Sequence, residues 1–178
     1  CAETIRQGAA AGLVGGSIED FTGDRSNPIY SIEAAADRVR AAAEAAKKLP
    51  FKFMLCARAE NYLNGRQDLA DTIKRMQAYQ EAGADVLFAP GLNTSDEVRE
   101  MCRSIDRPFN IVRGPRKEAL TVEQVGALGV KWAISSRPGS RLSVSRRLLR
   151  KHWHRSRETS PTWRSSISEC RQPTAMRD

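Results

Sequence analysis

The 178-residue sequence contains no long uninterrupted run of apolar residues, which excludes a transmembrane helix of the usual length. It has four cysteines, and no two of them form a C-x-x-C pair. This spacing argues against a zinc site and a disulfide framework, and it is typical of a reducing compartment. The first residues also lack the basic and apolar regions of a signal peptide. We therefore expect a cytoplasmic protein without a membrane partner.

The net charge of +8 is distributed very unevenly along the chain. Residues 137–178 contain ten Arg and one Lys against three acidic residues, so this segment carries the whole excess of positive charge. Residues 1–136 contain equal numbers of basic and acidic side chains. The basic composition of the chain is therefore no argument that its first 136 residues bind nucleic acid.

Residues 137–178 differ from the rest of the chain in composition as well as in charge. They are dense in Arg and Ser and show no sustained apolar face, so they bury too little surface to offset the entropy of ordering. One interpretation is a disordered tail, or a segment read in a shifted frame. The alternative is a basic arm that contacts nucleic acid or an acidic membrane. The abrupt change in composition favours the first interpretation, so we expect no nucleic acid partner.

Residues 1–136 alternate between amphipathic helices and short apolar runs. The apolar stripe after Ser31 predicts a helix to about Lys48, and a second helix begins near Leu69 and stops at Gly83. Two capping-box spacings open shorter helices, Thr94 with Glu97 and Thr121 with Gln124. Because the apolar runs lack strict alternation, we expect strands buried on both faces. The runs are Leu13–Ile18, Phe51–Ala57, Val86–Ala89, Phe109–Val112 and Val130–Ile134.

The alternation of strand and helix predicts an α/β fold with a parallel sheet. Two architectures show this alternation of strands and helices, a (β/α)8 TIM barrel and an open doubly wound sheet. A whole barrel takes about 250 residues, so five units within 136 residues correspond to a partial barrel. The predicted organisation is a catalytic domain over residues 1–136, followed by the disordered basic tail over residues 137–178.

Polar residues follow several of the predicted strands. Ligands of parallel α/β proteins bind at the carboxyl ends of the strands, where Glu19, Arg58 and Asn110 would meet. An arginine binds a carboxylate through two parallel hydrogen bonds, and a hard cation prefers carboxylate oxygens. This combination suits an anionic substrate with a divalent cation near Glu19. The alternative is that Glu19 lies in a solvated turn and that Arg58 forms only a structural ion pair.

Five motifs in this order resemble the isocitrate lyase/phosphoenolpyruvate mutase superfamily. They extend over about residues 1–136 and no single one is decisive, but their order is specific. The first ends in Ile-Glu-Asp and the second contains the Ala-Arg strand of that superfamily. The motifs are AGLVGGSIED, FMLCARAENYLNG, AYQEAGADVLFAPGL, RPFNIVRGP and VEQVGALGVKWAIS.

The resemblance implies a TIM barrel of which this chain holds strands four to eight. It also implies a Mg²⁺-dependent, homo-oligomeric enzyme that makes or breaks a C–C or P–C bond beside a carboxylate, through an enolate-type intermediate. Glu19 matches the acid of the metal site, and Arg58 matches the arginine that binds the substrate carboxylate. Glu60 falls on the acidic position two residues later, and Asn110 falls on the substrate-binding asparagine. The resemblance thus implies catalytic roles for Arg58, Glu60 and Asn110. Asp20 is expected only to shape the rim.

The sequence also departs from the superfamily pattern. The lyases carry a Lys-Cys-Gly-His loop after the Ile-Glu-Asp strand, whereas this chain has FTGDRSNPIYS. The shorter loop favours the branch similar to phosphonomutases, oxaloacetate hydrolases and oxaloacetate decarboxylases. The paired aspartates and the Ser-Gly segment of the superfamily belong to strands that precede this sequence. We therefore expect the chain by itself to be inactive.

Overall fold

The computed structural model describes residues 1–113 and 120–135, in which helices and strands alternate as the sequence predicts. The segment 137–178, with its predicted disorder, lies outside the described residues. No helix in the described ranges is long and apolar enough to cross a membrane. The helices are α1 (Ala2–Ala10), α2 (Ile32–Lys47), α3 (Leu69–Glu81), α4 (Ser95–Ser104) and α5 (Val122–Ala127). The strands are β1 (Gly15–Glu19), β2 (Met54–Arg58), β3 (Val86–Phe88), β4 (Phe109–Arg113) and β5 (Trp132–Ser135).

The five strands form one parallel sheet in the order β1-β2-β3-β4-β5. Each connection therefore moves to the next strand in the same direction. Since parallel crossovers are right-handed, such an order places all the intervening helices on one face of the sheet. A doubly wound sheet instead reverses its strand order and carries helices on both faces. The described strands therefore follow the winding of a barrel and not that of the alternative we considered.

The helix-facing side of the sheet forms the apolar core. Alternate strand residues point to this side, and those of the central strands are almost completely buried. Helix α2 packs there through small side chains, which confirms its predicted stripe and lets the helix approach closely. The strand residues of this layer include Leu55, Ala57, Leu87, Phe109 and Ile111, and α2 contributes Ala36, Val39, Ala42, Ala43 and Ala46.

Strand β1 differs from the prediction that every strand is buried on both faces. Only Ile18 of this strand is buried, while Gly16 and Ser17 are exposed. Among the described strands, β1 pairs with β2 alone. The strand also begins later than predicted, at Gly15, and the two residues before it, Leu13 and Val14, are 54% and 56% exposed. Apolar composition alone therefore overestimated the length of β1, since these residues precede the paired stretch.

The helix boundaries follow the predicted capping signals closely. Ser31 precedes α2 and its hydroxyl accepts a hydrogen bond from the backbone N–H of Ala34. Both predicted capping boxes form at the starts of α4 and α5, with Thr94 and Thr121 as the capping residues. Each box satisfies backbone donors that a helix start leaves without a partner. These contacts are local in sequence, which explains why the pattern predicted them.

Glycine ends α3 at a point where the helix layer is tightly packed. Gly83 has a φ angle of +106°, and Gly12 has +92° at the corresponding junction after α1. A Cβ atom at position 83 would lie 2.9 Å from the Cβ of Ala43 on α2, whereas a Cβ at position 12 would meet no atom within 4 Å. Gly83 therefore serves both the turn and the close packing of α2, whereas Gly12 serves the turn alone.

We predict that Gly83→Ala lowers the free energy of unfolding by about 2–3 kcal/mol, because it adds overpacking to the cost of a positive φ angle. Gly12→Ala is the matched control and should cost only about 1 kcal/mol, since it introduces the backbone strain without the contact. Urea unfolding followed by circular dichroism measures both variants. Equal losses for the two would show that the packing between Gly83 and Ala43 contributes nothing.

Candidate active site

Three of the predicted site residues lie in one row across the sheet. Strand pairing aligns Glu19 with Arg58, Arg58 with Phe88, and Phe88 with Asn110. Aligned residues of parallel neighbours project to the same face, and this face is opposite to that of the helix-packed residues. The row lies at or near the carboxyl ends of β1, β2 and β3 and one residue into β4. The structure therefore places Glu19, Arg58 and Asn110 on one side of the sheet.

Arg58 is the centre of this row and is held from three sides. Its Nε donates a hydrogen bond to Oε1 of Glu60 over 2.7 Å, and its Nη2 forms an ion pair with the same oxygen. Its Nε lies 3.5 Å from Oε2 of Glu19, and its guanidinium carbon lies 4.9 Å from the centre of the Phe88 ring. Among the described residues, Nη1 has no partner. The outer edge of the guanidinium can therefore receive a carboxylate through two hydrogen bonds.

The two carboxylates beside Arg58 have different environments. The side chain of Glu19 is 46% exposed, whereas that of Glu60 is only 9% exposed. Burial raises the pKa of Glu60 above its ordinary value, although the ion pair with Arg58 acts in the opposite direction. The carboxylate of Glu60 is therefore buried in its pairing with Arg58, whereas the oxygens of Glu19 are accessible to a further ligand.

Asn110 places an amide in the buried part of the same face. The residue is 6% exposed, and its Oδ1 atom has no hydrogen-bond partner among the described residues. Buried polar atoms are almost always paired, so an acceptor left in this state marks a place where a ligand group can donate. This observation agrees with the predicted role of Asn110 in substrate binding, which stays a prediction.

Asp20, which we expected to shape the rim, is itself buried behind it and is only 2% exposed. Its Oδ1 accepts a hydrogen bond from the backbone N–H of Glu60 over 2.8 Å. Its Oδ2 accepts hydrogen bonds from Oη of Tyr79 over 2.7 Å and from Nη1 of Arg75 over 3.2 Å. The carboxylate of Asp20 therefore connects the end of β1 to the second residue after β2 and to helix α3. Burial of Tyr79, and after it the negative charge of Asp20, raise the pKa of Tyr79 well above its ordinary value.

The short loop after β1 is closed by its own contacts. Phe21 and Ile29 form an antiparallel bridge at its base, and Ile29 is 3% exposed. The hydroxyl of Thr22 donates to the backbone carbonyl of Asn27 over 2.7 Å. Arg75 donates to the carbonyl of Tyr30, so the ion pair of Asp20 also fixes the end of this loop. The segment that replaces the lyase loop is therefore a compact turn beside the row.

The described residues supply part of a site for Mg²⁺. Glu19 offers a carboxylate with exposed oxygens, which is the type of ligand that Mg²⁺ prefers. Within residues 1–113 and 120–135, no three His, Cys, Asp or Glu side chains are grouped closely enough to hold a metal. Mg²⁺ is commonly held by one or two carboxylates together with water and substrate oxygens. Glu19 therefore fits as one contributor to a metal site, and the remaining ligands would come from water, substrate or other residues.

A cavity in the described part of the chain lies at the opposite end of the sheet from this chemistry. Its lining includes Lys47, Phe51, Lys52 and Asp85, which belong to the region at the amino ends of β2 and β3. Lys52 is already paired with Asp85 over 2.5 Å. In parallel α/β proteins that end of the sheet serves stability, so we place the site at the carboxyl ends and not in this cavity.

The sequence interpretation did not anticipate three neighbours of the site. Phe88 packs against Arg58, while Arg75 and Tyr79 bind Asp20 from α3. Strand alignment could have indicated Phe88, because it occupies the row between Arg58 and Asn110. The signal for the other two is their four-residue spacing, which puts two polar side chains on one buried face of a helix.

These observations define a parallel α/β protein wound in one direction. A row of charged and amide side chains crosses one face of its sheet, from the carboxyl ends of β1 and β2 to the second residue of β4. Residues 1–153 match the phosphoenolpyruvate phosphomutase family. The chain therefore belongs to this family, within the isocitrate lyase/phosphoenolpyruvate mutase superfamily, as its motifs suggested.

Individual relatives agree with this assignment and include lyases and mutases. The chain is 48% identical to a protein of the lyase/mutase class from Burkholderia cenocepacia J2315, with a TM-score of 0.72 over 86% of this chain and 52% of that one. It is 30% identical to 2-methylisocitrate lyase of Escherichia coli over 75% of this chain and 46% of that enzyme. It is 25% identical to phosphonopyruvate hydrolase solved with oxalate and Mg²⁺, with a TM-score of 0.63 over 88% of this chain and 53% of that one. The chain thus spans about half the length of these relatives.

We predict that Arg75→Met lowers the free energy of unfolding by about 3 kcal/mol, because it leaves the buried charge of Asp20 without its ionic partner. The matched control is Arg6→Met, which breaks an ion pair with Glu3 whose side chains are 56% and 62% exposed. The control should cost no more than about 0.5 kcal/mol. Urea unfolding at neutral pH measures the difference. A loss for Arg75→Met as small as that of the control would contradict a stabilising role for the Asp20–Arg75 ion pair.

Proposed function

We propose that this chain is the substrate-binding half of a Mg²⁺-dependent lyase or mutase that acts on a 2-oxo or phosphono carboxylate. The reaction class is the breaking or forming of a C–C or P–C bond beside the carboxylate, through an enolate-type intermediate. In the proposed whole enzyme, the five described strands are strands four to eight of a (β/α)8 barrel. The active protein is proposed to be a homo-oligomer.

The arrangement of Arg58 is the observation that carries this proposal. Its Nε side is occupied by Glu60, and its outer edge is available on the same face as Glu19 and Asn110. A planar guanidinium with a fixed orientation selects a planar carboxylate and fixes its direction. Asn110 would accept a hydrogen bond from another substrate group or from a bound water. The catalytic role predicted for Glu60 is thereby refined, because this residue acts on Arg58.

The proposed metal would lie near Glu19, either in direct contact or through water. When bound, Mg²⁺ would stabilise negative charge that develops on a substrate oxygen. The short loop between Phe21 and Ile29 supports the branch without a catalytic cysteine, because the loop carries neither Lys nor Cys. Oxaloacetate and phosphonopyruvate are therefore the substrates to test first.

The proposed function is tested in a chimera, because the chain spans about half the length of its relatives. The preceding half of the Burkholderia cenocepacia protein is joined to the full 178-residue chain. We predict that the chimera binds oxalate in the presence of Mg²⁺. Arg58→Ala should weaken this binding by about 100-fold, because it removes two charge-assisted hydrogen bonds. Isothermal titration calorimetry measures the affinity, and turnover of oxaloacetate and phosphonopyruvate is measured on the same samples.

The control for this experiment is Arg99→Ala, which removes an exposed arginine that pairs with Asp96 on α4. This variant should bind oxalate as the parent chimera does. A folded chimera that neither binds oxalate nor converts any of these acids would refute the proposed function. An unchanged affinity for oxalate in Arg58→Ala would refute the assignment of Arg58.

The metal assignment is tested by Glu19→Gln in the same chimera. We predict that the variant binds Mn²⁺, a paramagnetic substitute for Mg²⁺, about ten- to 100-fold more weakly, because a charged ligand or its water bridge is lost. Electron paramagnetic resonance measures the free Mn²⁺. Glu44→Gln, which neutralises an exposed acid of α2, should not change the affinity. Equal Mn²⁺ binding in all three proteins would exclude Glu19 from the metal site.

A further inference from the structure

We propose that the carboxylate of Asp20, with Arg75 and Tyr79 of α3, forms a positioning unit that fixes Glu60 and thereby the direction of Arg58. We call these three residues the Asp20 cluster. The inference rests on the proposed function for its consequence, because Arg58 is there the group that binds the substrate carboxylate. None of the three residues is proposed to touch the substrate.

The first step is that the two oxygens of Asp20 have different partners. Oδ1 binds the backbone N–H of Glu60, and Oδ2 binds Tyr79 and Arg75. The carboxylate cannot rotate without breaking a contact on one side or the other. Since the residue is 2% exposed, water would not replace a lost partner easily. Helix α3 therefore determines where the acceptor for the Glu60 backbone lies.

The second step is that Glu60 depends on such an acceptor. Its φ and ψ angles are −97° and 2°, in the sparsely populated bridge region of backbone conformation. The N–H of Glu60 donates to Asp20. The carbonyl of Glu60 accepts hydrogen bonds from the backbone N–H groups of Leu63 and Asn64 and from the side-chain amide of Asn64. The backbone of Glu60 is therefore fixed at both of its polar groups.

The third step leads from Glu60 to the site. The carboxylate of Glu60 binds Arg58 at both Nε and Nη2. The ring of Phe88 packs against the guanidinium. The Glu60 side chain is 9% exposed and has little freedom to follow Arg58 to another position. A shift in the Glu60 backbone would consequently turn the guanidinium and misalign its outer edge.

The chemistry of the cluster favours positioning over stability alone. Two charged groups and a hydroxyl are buried where apolar side chains of similar volume could serve stability equally well. Directional hydrogen bonds fix an orientation that apolar contacts would leave loose. The position of the Asp20 cluster directly behind Glu60 supports this interpretation.

The test observes Arg58 directly in the full 178-residue chain. In a chain labelled with ¹⁵N-arginine, the Nε–H signal of Arg58 is assigned by its loss in Arg58→Lys. We expect Tyr79→Phe to shift this signal toward that of an unpaired arginine and to speed its exchange with water. Asp20→Asn, which places an amide N–H₂ against one set of donors, should have a larger effect. Tyr79→Phe keeps the test decisive where Asp20→Asn does not fold.

The matched control is Tyr62→Phe. Tyr62 is also buried, and its hydroxyl donates to Oε1 of Glu97 over 3.0 Å, outside the Asp20 cluster. We expect this variant to lose a similar amount of thermal stability and to leave the Arg58 signal unchanged. If Tyr79→Phe is destabilised but its Arg58 signal matches that of the unmodified chain, the cluster is only structural and the inference is wrong.

The functional arm uses the chimera and oxalate with Mg²⁺. Tyr79→Phe should weaken oxalate binding roughly five- to tenfold, while Tyr62→Phe should leave it unchanged. Unchanged oxalate affinity in Tyr79→Phe would overturn the link between the cluster and the site. A parent chimera that binds no oxalate would instead reject the proposed function. The Arg58 signal would still decide in that case whether the cluster orients this arginine.

Discussion

The buried carboxylate of Asp20 is the interaction on which the geometry of the site depends. It joins the end of β1 to a backbone group 40 residues later and to a tyrosine 59 residues later. A buried anion must keep these partners, because neither water nor an apolar neighbour can replace them at low cost. Helix α3 therefore supplies two of the partners that hold this carboxylate behind the row.

Much of the fold was predictable because its signals are local. The capping boxes at Thr94 and Thr121 satisfy their own helix starts, and Gly83 ends α3 where a positive φ angle is needed. The placement of Glu19 and Arg58 followed from one general rule about the carboxyl ends of parallel strands. Asn110 is the second residue of β4 and joins their row only through the strand register. These features require neighbours within a few residues or a constraint shared by the whole fold class.

The partners of Asp20 and the exposure of β1 depend on tertiary contacts, which no local sequence pattern contains. Glu19 and Asp20 are adjacent, yet the alternation of side chains sends them to opposite faces, so Asp20 follows Ile18 into the helix-facing layer. Strict use of this alternation would have suggested burial of Asp20. Its partners lie on α3, however, and only the tertiary structure brings them within hydrogen-bonding distance. The exposure of β1 likewise depends on its pairing with one described neighbour.

The two glutamates beside Arg58 have different roles: Glu60 orients the arginine, and Glu19 is accessible to a further ligand. Glu60 is nearly buried and lies 2.7 Å from Nε of Arg58, so it stabilises the arginine in one orientation. Glu19 is half exposed and lies 3.5 Å away, so its charge is available to another ligand. A cation bound at Glu19 would neutralise part of the negative charge beside Arg58, while Glu60 would continue to hold the guanidinium. Arg58 would then attract an incoming carboxylate more strongly, so binding of cation and of substrate would favour each other.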